Sequence, residues 1–517
     1  MKKCGVGSRV AVLAAVMAMS VGAARANNLQ IANVTVIGRN DTTAFVQFNI
    51  SWEKSWRYAS GGDSLYFHDA AWVFFKVQKQ GETTWNHVVL EGAGTTPSDY
   101  ATGSGTPIEM VVPADGVGMF VRRSGDGAGA TSVQNVKAVW NIAANSLVKA
   151  DQVKIQAFGV EMVYVAEGAF KVGSGGGDAN RFYAGGTVND PFEIASEAAI
   201  TVADSAGNLY YRTDGGGNPG DRGSPIPLLF PKGYKAFYCM KYEITQGQYA
   251  DFLNALTRDQ QATRCVATTL NYYMSGTGGG SATIQNRNTV RLTSDPGGSA
   301  PREYTTTRPD RACNWLSWAD GYAFADWAGL RLMTELEYEK ACREPLAPVA
   351  DEYAWGANTI MANASRTISG TENGTETITS DTSLGGCNYG ERAHIGGDAL
   401  TGPLRAGVFA TASSSRVSAG ASYWGIMDLS GNLWERTVTV GYSAPRGFTG
   451  VHGNGVLAAD GNADAAWPWS FVGGRRGGNW KDGSTYARVS DRINAAININ
   501  TSTRYQMDGS RGVRSAP

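Results

Sequence analysis

Between about Asn27 and Ala157, apolar and polar side chains alternate with a period of two in short runs. The clearest are Thr43 to Trp52 (TAFVQFNISW), Trp72 to Val77 (WVFFKV) and Val136 to Trp140 (VKAVW), and this period places successive side chains on opposite faces of a strand. Gly61-Gly62-Asp63, Gly92 to Gly105 and Ser124 to Gly129 separate the runs with turn-forming residues. Evenly spaced short strands of this kind predict a β-sandwich of roughly 130 residues, taken as 27–157. Its aromatics Trp52, Trp56, Trp72, Trp85 and Trp140 fit two roles, a carbohydrate platform or the filling of core and rim. No catalytic grouping stands out there.

From residue 158 to 517 the pattern changes. Glu161 to Gly173 (EMVYVAEGAFKVG) reads as a strand, a turn and a strand. Gly-rich stretches at Gly173–Gly177 and Gly215–Gly223 predict long surface loops inserted before Phe230. No Lys-Ser or Lys-Thr follows them at phosphate-loop spacing. Three helices are legible from caps and apolar spacing. Thr245 with Gln248 makes a capping box ahead of Tyr249, Phe252, Leu253 and Leu256, which share one face. Ser317 precedes Trp318 to Ala328, with Gly329 as the stop. Thr334 caps Glu335 to Arg343, with Glu337 at capping-box distance, and Leu336, Tyr338, Glu339 and Arg343 are expected to alternate between core and solvent.

Composition sharpens this picture. At 517 residues the chain suits roughly two to four domains. It is 42% hydrophobic and only 18% charged, the profile of a chain that folds. The 66 glycines and 14 tryptophans point to many loops held by aromatic anchors. A net charge of -1 leaves no electrostatic footprint for nucleic acid or anionic membranes. The four histidines, His68, His87, His394 and His452, have no metal-pair spacing.

Lys2, Lys3 and Arg9, the apolar run Val10 to Val21 and Ala24-Arg25-Ala26 read as a secretory signal, 1–26. No transmembrane segment is expected, because that run is too short to span and no other long apolar stretch occurs. The chain is thus expected to be secreted, periplasmic or at the cell surface. Cys239, Cys265, Cys313, Cys342 and Cys387 remain. They form at most two internal disulfides, or several simply fill the core.

Nine segments in order resemble the formylglycine-generating-enzyme, or sulfatase-modifying-factor, superfamily: Glu161–Gly173, Tyr242–Leu253, Leu316–Ala325, Leu330–Arg343, Tyr353–Gly356, Cys387–Gly390, Gly425–Thr437 (GIMDLSGNLWERT), Arg476–Trp480 (RGGNW) and Gly512–Arg514. With the β-sandwich read from periodicity the whole chain is expected to be α+β, and for 158–517 the resemblance implies a loop-rich fold akin to C-type lectins, held by calcium and tryptophans. It implies one calcium site at Asp428, the carbonyls of Gly431 and Leu433, and Glu435, a hard-oxygen set of the kind Ca²⁺ selects. A second would use Asn388, the Tyr389 carbonyl, Asp398 and the Leu400 carbonyl.

The family's oxidase is described by a copper ion between two thiolates shortly after the RGG segment, and soft thiolates are what hold Cu(I). The matching positions are Asp482 and Ala487, and no cysteine follows Cys387. A branch of the fold that makes sulfoxides uses histidine-held iron, and its histidine spacing is absent. Another branch displays ligands on a diversified C-terminal segment, which here corresponds to Asn494–Tyr505, a polar stretch that also reads as a surface strand and turn.

These readings together describe an exported binding or scaffolding protein, a pseudoenzyme of that superfamily, with calcium expected and copper not. Its partner would be an extracytoplasmic protein, peptide or glycan. The ligand is expected beside Arg475, Arg476, Asn479, Trp480, Asp482, Arg488 and Arg492, whose guanidiniums suit acidic groups. The alternative is an enzyme of the family with divergent chemistry in the same groove, with Asp482, Asp491 and Tyr486 as an acid–base set.

Overall fold

The computed structural model describes residues 28–59, 66–276, 278–343, 345–467, 472–498 and 501–517. The expected signal sequence 1–26 and the Gly61–Asp63 turn lie outside them. Among the described residues the fold is mixed and sheet-rich, with short helices and long irregular connections.

The alternating runs of the N-terminal region form the strands β1 (Gln30–Gly38), β2 (Thr43–Ala59) and β3 (Tyr66–Lys79), with Gly127–Asn141 beside β2. β3 explains why its sequence is apolar almost without a break. Ala71, Val73, Phe75 and Val77 face a core built wholly from the N-terminal region, while Ala70, Trp72 and Phe74 face the core of the remainder of the chain. Both faces of this strand are dry, so period two gives apolar residues on each. Trp52, Trp72 and Trp140 are buried. Full burial of a large side chain of this kind contributes about 2–3 kcal/mol each. Trp56 is half-buried.

The strand Val153–Val165 runs through position 157 without interruption. It pairs antiparallel with β3 from Val153↔Lys79 to Val163↔Asp69, and its end also pairs with Phe237–Met240. Gly512–Ser515 and Arg331–Leu332 continue the same sheet, so the last strand of the chain is hydrogen-bonded next to segments far earlier in sequence. The expected strand-turn-strand at Glu161–Gly173 contains two strands that do not pair with one another. Val153–Val165 has both edges occupied by β3 and Phe237–Met240, so Phe170–Val172 pairs with Phe192–Ile194 instead.

The helices follow their caps. α1 (Gln246–Asn254) has the Thr245–Gln248 capping box, and a second box at Thr257–Gln260 starts α2 (Arg258–Arg264), which the sequence reading missed. α3 (Trp318–Trp327) begins at Ser317, and Gly329 follows it at φ 68°. α4 (Glu335–Arg343) begins at Thr334, whose Oγ1 accepts from Glu337 N at 3.1 Å while Glu337 Oε2 accepts from Thr334 N at 2.9 Å. α4 has no solvent face: every residue from Glu335 to Arg343 is buried, including Glu339 and Arg343. The predicted alternation between core and solvent is replaced by ion pairing, because buried charges persist only with partners.

Candidate functional site

The charged residues of α4 organise the region where a ligand groove was expected. Arg476 donates to Glu335 Oε2 at 3.0 Å and to Glu339 Oε1 at 2.6 Å. Arg492 reaches Glu335 at 2.8 Å, with its guanidinium 4.0 Å from the Phe182 ring centre and 4.3 Å from that of Tyr211. Arg343 spans Glu339 and Glu352 at 2.8 and 2.7 Å. Burial by itself would raise the Glu335 and Glu339 carboxyls, but the guanidiniums around them hold both below the ordinary range. Arg475 and Arg436 share Asp508, each at 2.5 Å. Arg488, a quarter exposed, faces Asp351 at 3.3 Å and Asp178 at 3.6 Å.

Arg475, Arg476 and Arg492 are therefore paired inside the protein, while Arg488 stays partly exposed beside its carboxylates. The neighbouring residues are also internally satisfied. Trp480 is buried and donates Nε1–H to the Gln506 carbonyl at 3.1 Å. Asp482 Oδ2 accepts from Asn479 Nδ2 at 2.7 Å and from Trp434 Nε1 at 3.2 Å. Asp491 has a separate partner, the Ile493 amide, and burial lifts its carboxyl to about 7. Tyr486 meets Trp434 edge-on at 6.1 Å. In the Asn494–Tyr505 segment, Ala495 and Ala496 are buried and Arg504 forks onto Asp320 at 2.6 and 2.8 Å. Residues 499–500 lie outside the described set.

The positions matching the copper-binding thiolates carry the chemistry their residues predict. Ala487 is buried against the Tyr353 and Trp355 cluster. Each of the five described cysteines is buried and free, which agrees with the reading that they fill the core and not with the one that pairs them. Burial pushes the Cys239 and Cys387 thiols to about 12 and Cys265 to about 11, which leaves them as inert apolar groups.

The first predicted calcium set lies on a turn of left-handed residues, Asp428 (φ 59°), Gly431 (φ 85°) and Asn432 (φ 62°), leading into the strand Trp434–Thr437. Asp428 Oδ2 accepts from the Gly407 amide at 2.6 Å. Glu435 Oε1 accepts from Arg511 Nε and Nη2 at 2.9 and 2.6 Å, whereas its Oε2 is buried without a hydrogen-bond partner.

Glu243, which the sequence reading passed over, completes the cluster. Its carboxylate accepts from Leu433 N at 2.9 Å and Asn432 Nδ2 at 2.5 Å. Burial, then the charges of Asp428 and Glu435, raise Glu243 well above the carboxylate range, and burial raises Asp428 and Glu435 too. Arg511 pairs with Glu435 and, with Arg405, offsets Asp428, yet Glu435 Oε2 stays orphaned, so a hard cation fits at that oxygen. Among the described residues no three His, Cys, Asp or Glu side chains converge as a metal group; the predicted set draws two of its four donors from carbonyls.

The second set does not fit a cation. Asp398 is clasped by Arg287 at 3.0 Å and Arg311 at 3.1 Å, one on each oxygen. Asn388 Nδ2 donates to the Gly402 carbonyl at 3.1 Å, the Tyr389 hydroxyl donates to the Met361 carbonyl at 2.6 Å, and Leu400 N donates to Asp398 at 3.2 Å. Two guanidiniums already neutralise the carboxylate that a second calcium would need.

Residues 195–514 match the model of the sulfatase-modifying factor enzyme 1-like domain. The chain belongs to that family. A 55-residue stretch is 47% identical to a formylglycine-generating enzyme of Streptomyces coelicolor, covering 11% of this chain and 17% of that relative. Among solved structures, Treponema denticola variable protein 1 is similar over 69% of this chain and 96% of its own, with 12% identity and a TM-score of 0.30. The Major Tropism Determinant I1 variant is similar over 82% and 83%, at 12% identity and TM-score 0.23. At that overlap neither bears on ligand or detailed fold. For this member of the sulfatase-modifying-factor family, the buried Glu335–Arg476–Glu339 network and the Glu243–Asp428–Glu435 cluster are the two charged centres the site is built on.

Proposed function

We propose that this chain is an exported binding or scaffolding protein, a member of the family in which the oxidase site was lost or never installed. The observation that carries the reading is the pair Asp482 and Ala487 at the thiolate positions, with all five described cysteines buried elsewhere. A carboxylate hydrogen-bonded to Asn479 and Trp434, beside a methyl group, does not supply the two soft ligands that Cu(I) selects. The internally paired Arg475, Arg476 and Arg492 support the same reading, since a framework that neutralises its own cations is built for rigidity.

Calcium at Asp428, the Gly431 and Leu433 carbonyls and Glu435 is part of the proposal, with Glu435 Oε2 as its unpartnered donor. We read the region 27–157 as a β-sandwich and 158–517 as a C-type-lectin-like unit, joined through the Val153–Val165 strand. The signal sequence 1–26 would direct the chain to the periplasm, the cell surface or the medium. Among the described residues no helix is long and apolar enough to cross a membrane. Metal analysis of the purified protein tests the proposal. Calcium near one equivalent without copper is expected, and stoichiometric copper would overturn it.

A further inference from the structure

A cleft of about 720 Å³ lies at the seam between the N-terminal sheet and the family domain, away from Asp482 and Ala487. This volume is that of a small-ligand site. One wall is aromatic and crosses the seam. Trp56 lies 5.9 Å from Phe67, and Phe67 lies 5.9 Å from Tyr423, so β2, β3 and the loop before Gly425 each supply a ring. The same lining carries hydroxyls, from Thr375, Thr377, Thr411 and Ser414.

The charges within the cavity decide what such a ligand would carry. Lys241 is 3.6 Å from Glu161, and Arg405 is 3.5 Å from Glu376. Glu53 and Lys54 are adjacent and exposed, and offset one another at the rim. Arg416 is different. It donates to the Ala354 carbonyl at 2.9 Å and the Ala421 carbonyl at 3.4 Å, its guanidinium lies 5.9 Å from the Tyr423 ring centre, and it makes no ion pair among the described residues. A guanidinium held by carbonyls and set beside an aromatic wall receives a planar carboxylate well. The adjoining rings and hydroxyls match a body with one C–H face and one hydroxylated face.

We propose that this seam cavity binds an acidic sugar, with its carboxylate on Arg416 and its ring on the Trp56–Phe67–Tyr423 wall. The site rests on the reading of the chain as a binding protein and gives that reading a ligand class. It is separate from the groove expected at Arg475 and Arg476. Both parts of the chain contribute, so the ligand would bridge them.

Titration calorimetry of the whole protein with glucuronic acid, galacturonic acid and N-acetylneuraminic acid tests it, with galactose, glucose and N-acetyl-glutamyl-phenylalanine as comparisons. At least one acidic sugar is expected to bind about tenfold or more tighter than either neutral sugar and than the dipeptide. R416Q should weaken it by about tenfold or more. Because Arg416 also braces two loops, A412E provides a second probe. Ala412 is an exposed residue lining the cavity, and a carboxylate there should weaken the acidic sugar by about threefold or more through like-charge repulsion. The proposal is overturned if none of the three acidic sugars binds, if both variants bind as the wild type does, or if the neutral sugars or the dipeptide bind equally. Such a failure leaves the metal analysis, and the reading it tests, untouched.

Discussion

Replacing Glu335 with Gln keeps the shape of the side chain and removes one negative charge from the interior. Its carboxylate accepts from Arg476 at 3.0 Å, from Arg492 at 2.8 and 3.1 Å, from Thr439 Oγ1 at 3.0 Å and from Val440 N at 2.8 Å. Glu335, Arg476 and Arg492 are all 0% exposed. After the change Arg476 still has Glu339, whereas Arg492 is left with the Asn180 carbonyl and two aromatic faces. Breaking a buried pair from one side costs about 3–5 kcal/mol, and E335Q is expected to lose that much. K79A, which removes an exposed ammonium 2.9 Å from Asp151, should lose far less.

Urea unfolding at neutral pH, followed by tryptophan fluorescence and circular dichroism, measures both. The sign of the pH dependence follows from the depressed folded pKa of Glu335. Its contribution is complete above the unfolded value of about 4.3 and is lost as pH falls through the folded value. The gap between wild type and E335Q should therefore narrow in acid. A loss below about 1 kcal/mol at neutral pH, or a gap that widens in acid, would refute the assignment of this network as the scaffold.

Other perturbations address separate parts of the structure. G431A puts a Cβ 2.5 Å from Cys387 Sγ and 2.7 Å from the Asn388 carbonyl at φ 85°, and thermal unfolding should show a loss of about 2 kcal/mol or more. If the Asp428–Glu435 turn holds calcium, EDTA should lower the melting temperature and added calcium restore it, and E435Q should abolish that response. Burial holds His394 neutral down to about 3, so the unfolded chain takes the proton first. Stability is expected to fall from about pH 6.5 downward by up to about 1.4 kcal/mol per pH unit from this group, and H394N should flatten the slope by that amount.

Where local chemistry settled the structure, the sequence was readable. Thr245, Ser317 and Thr334 start helices because a hydroxyl and a side chain three residues on satisfy each other's backbone amides, a rule that needs no tertiary information. β2 and β3 were legible for a similar reason, since their alternation is a property of the strand itself. The misreadings share the opposite cause. Glu335, Glu339 and Arg343 look like a solvent face until Arg476, Arg492 and Glu352, up to 157 residues away, are brought against them. The ion-pair partners of Arg475, Arg476 and Arg492 were illegible for the same reason. Phe170–Val172 left the preceding strand because edges formed by distant segments were already taken. Glu243 was missed although it carried a signal, a carboxylate between Tyr242 and Ile244 in the stretch Phe237–Ile244, whose one other charge is Lys241.

The proposal that this chain lacks oxidase chemistry is tested most directly by incubating the whole protein, loaded with copper under oxygen, with a Cys-x-Pro-x-Arg peptide and following the peptide mass. The account predicts that the cysteine stays unconverted, as it does in a blank without protein. Formylglycine appearing in the peptide would contradict it, whatever residues held the copper.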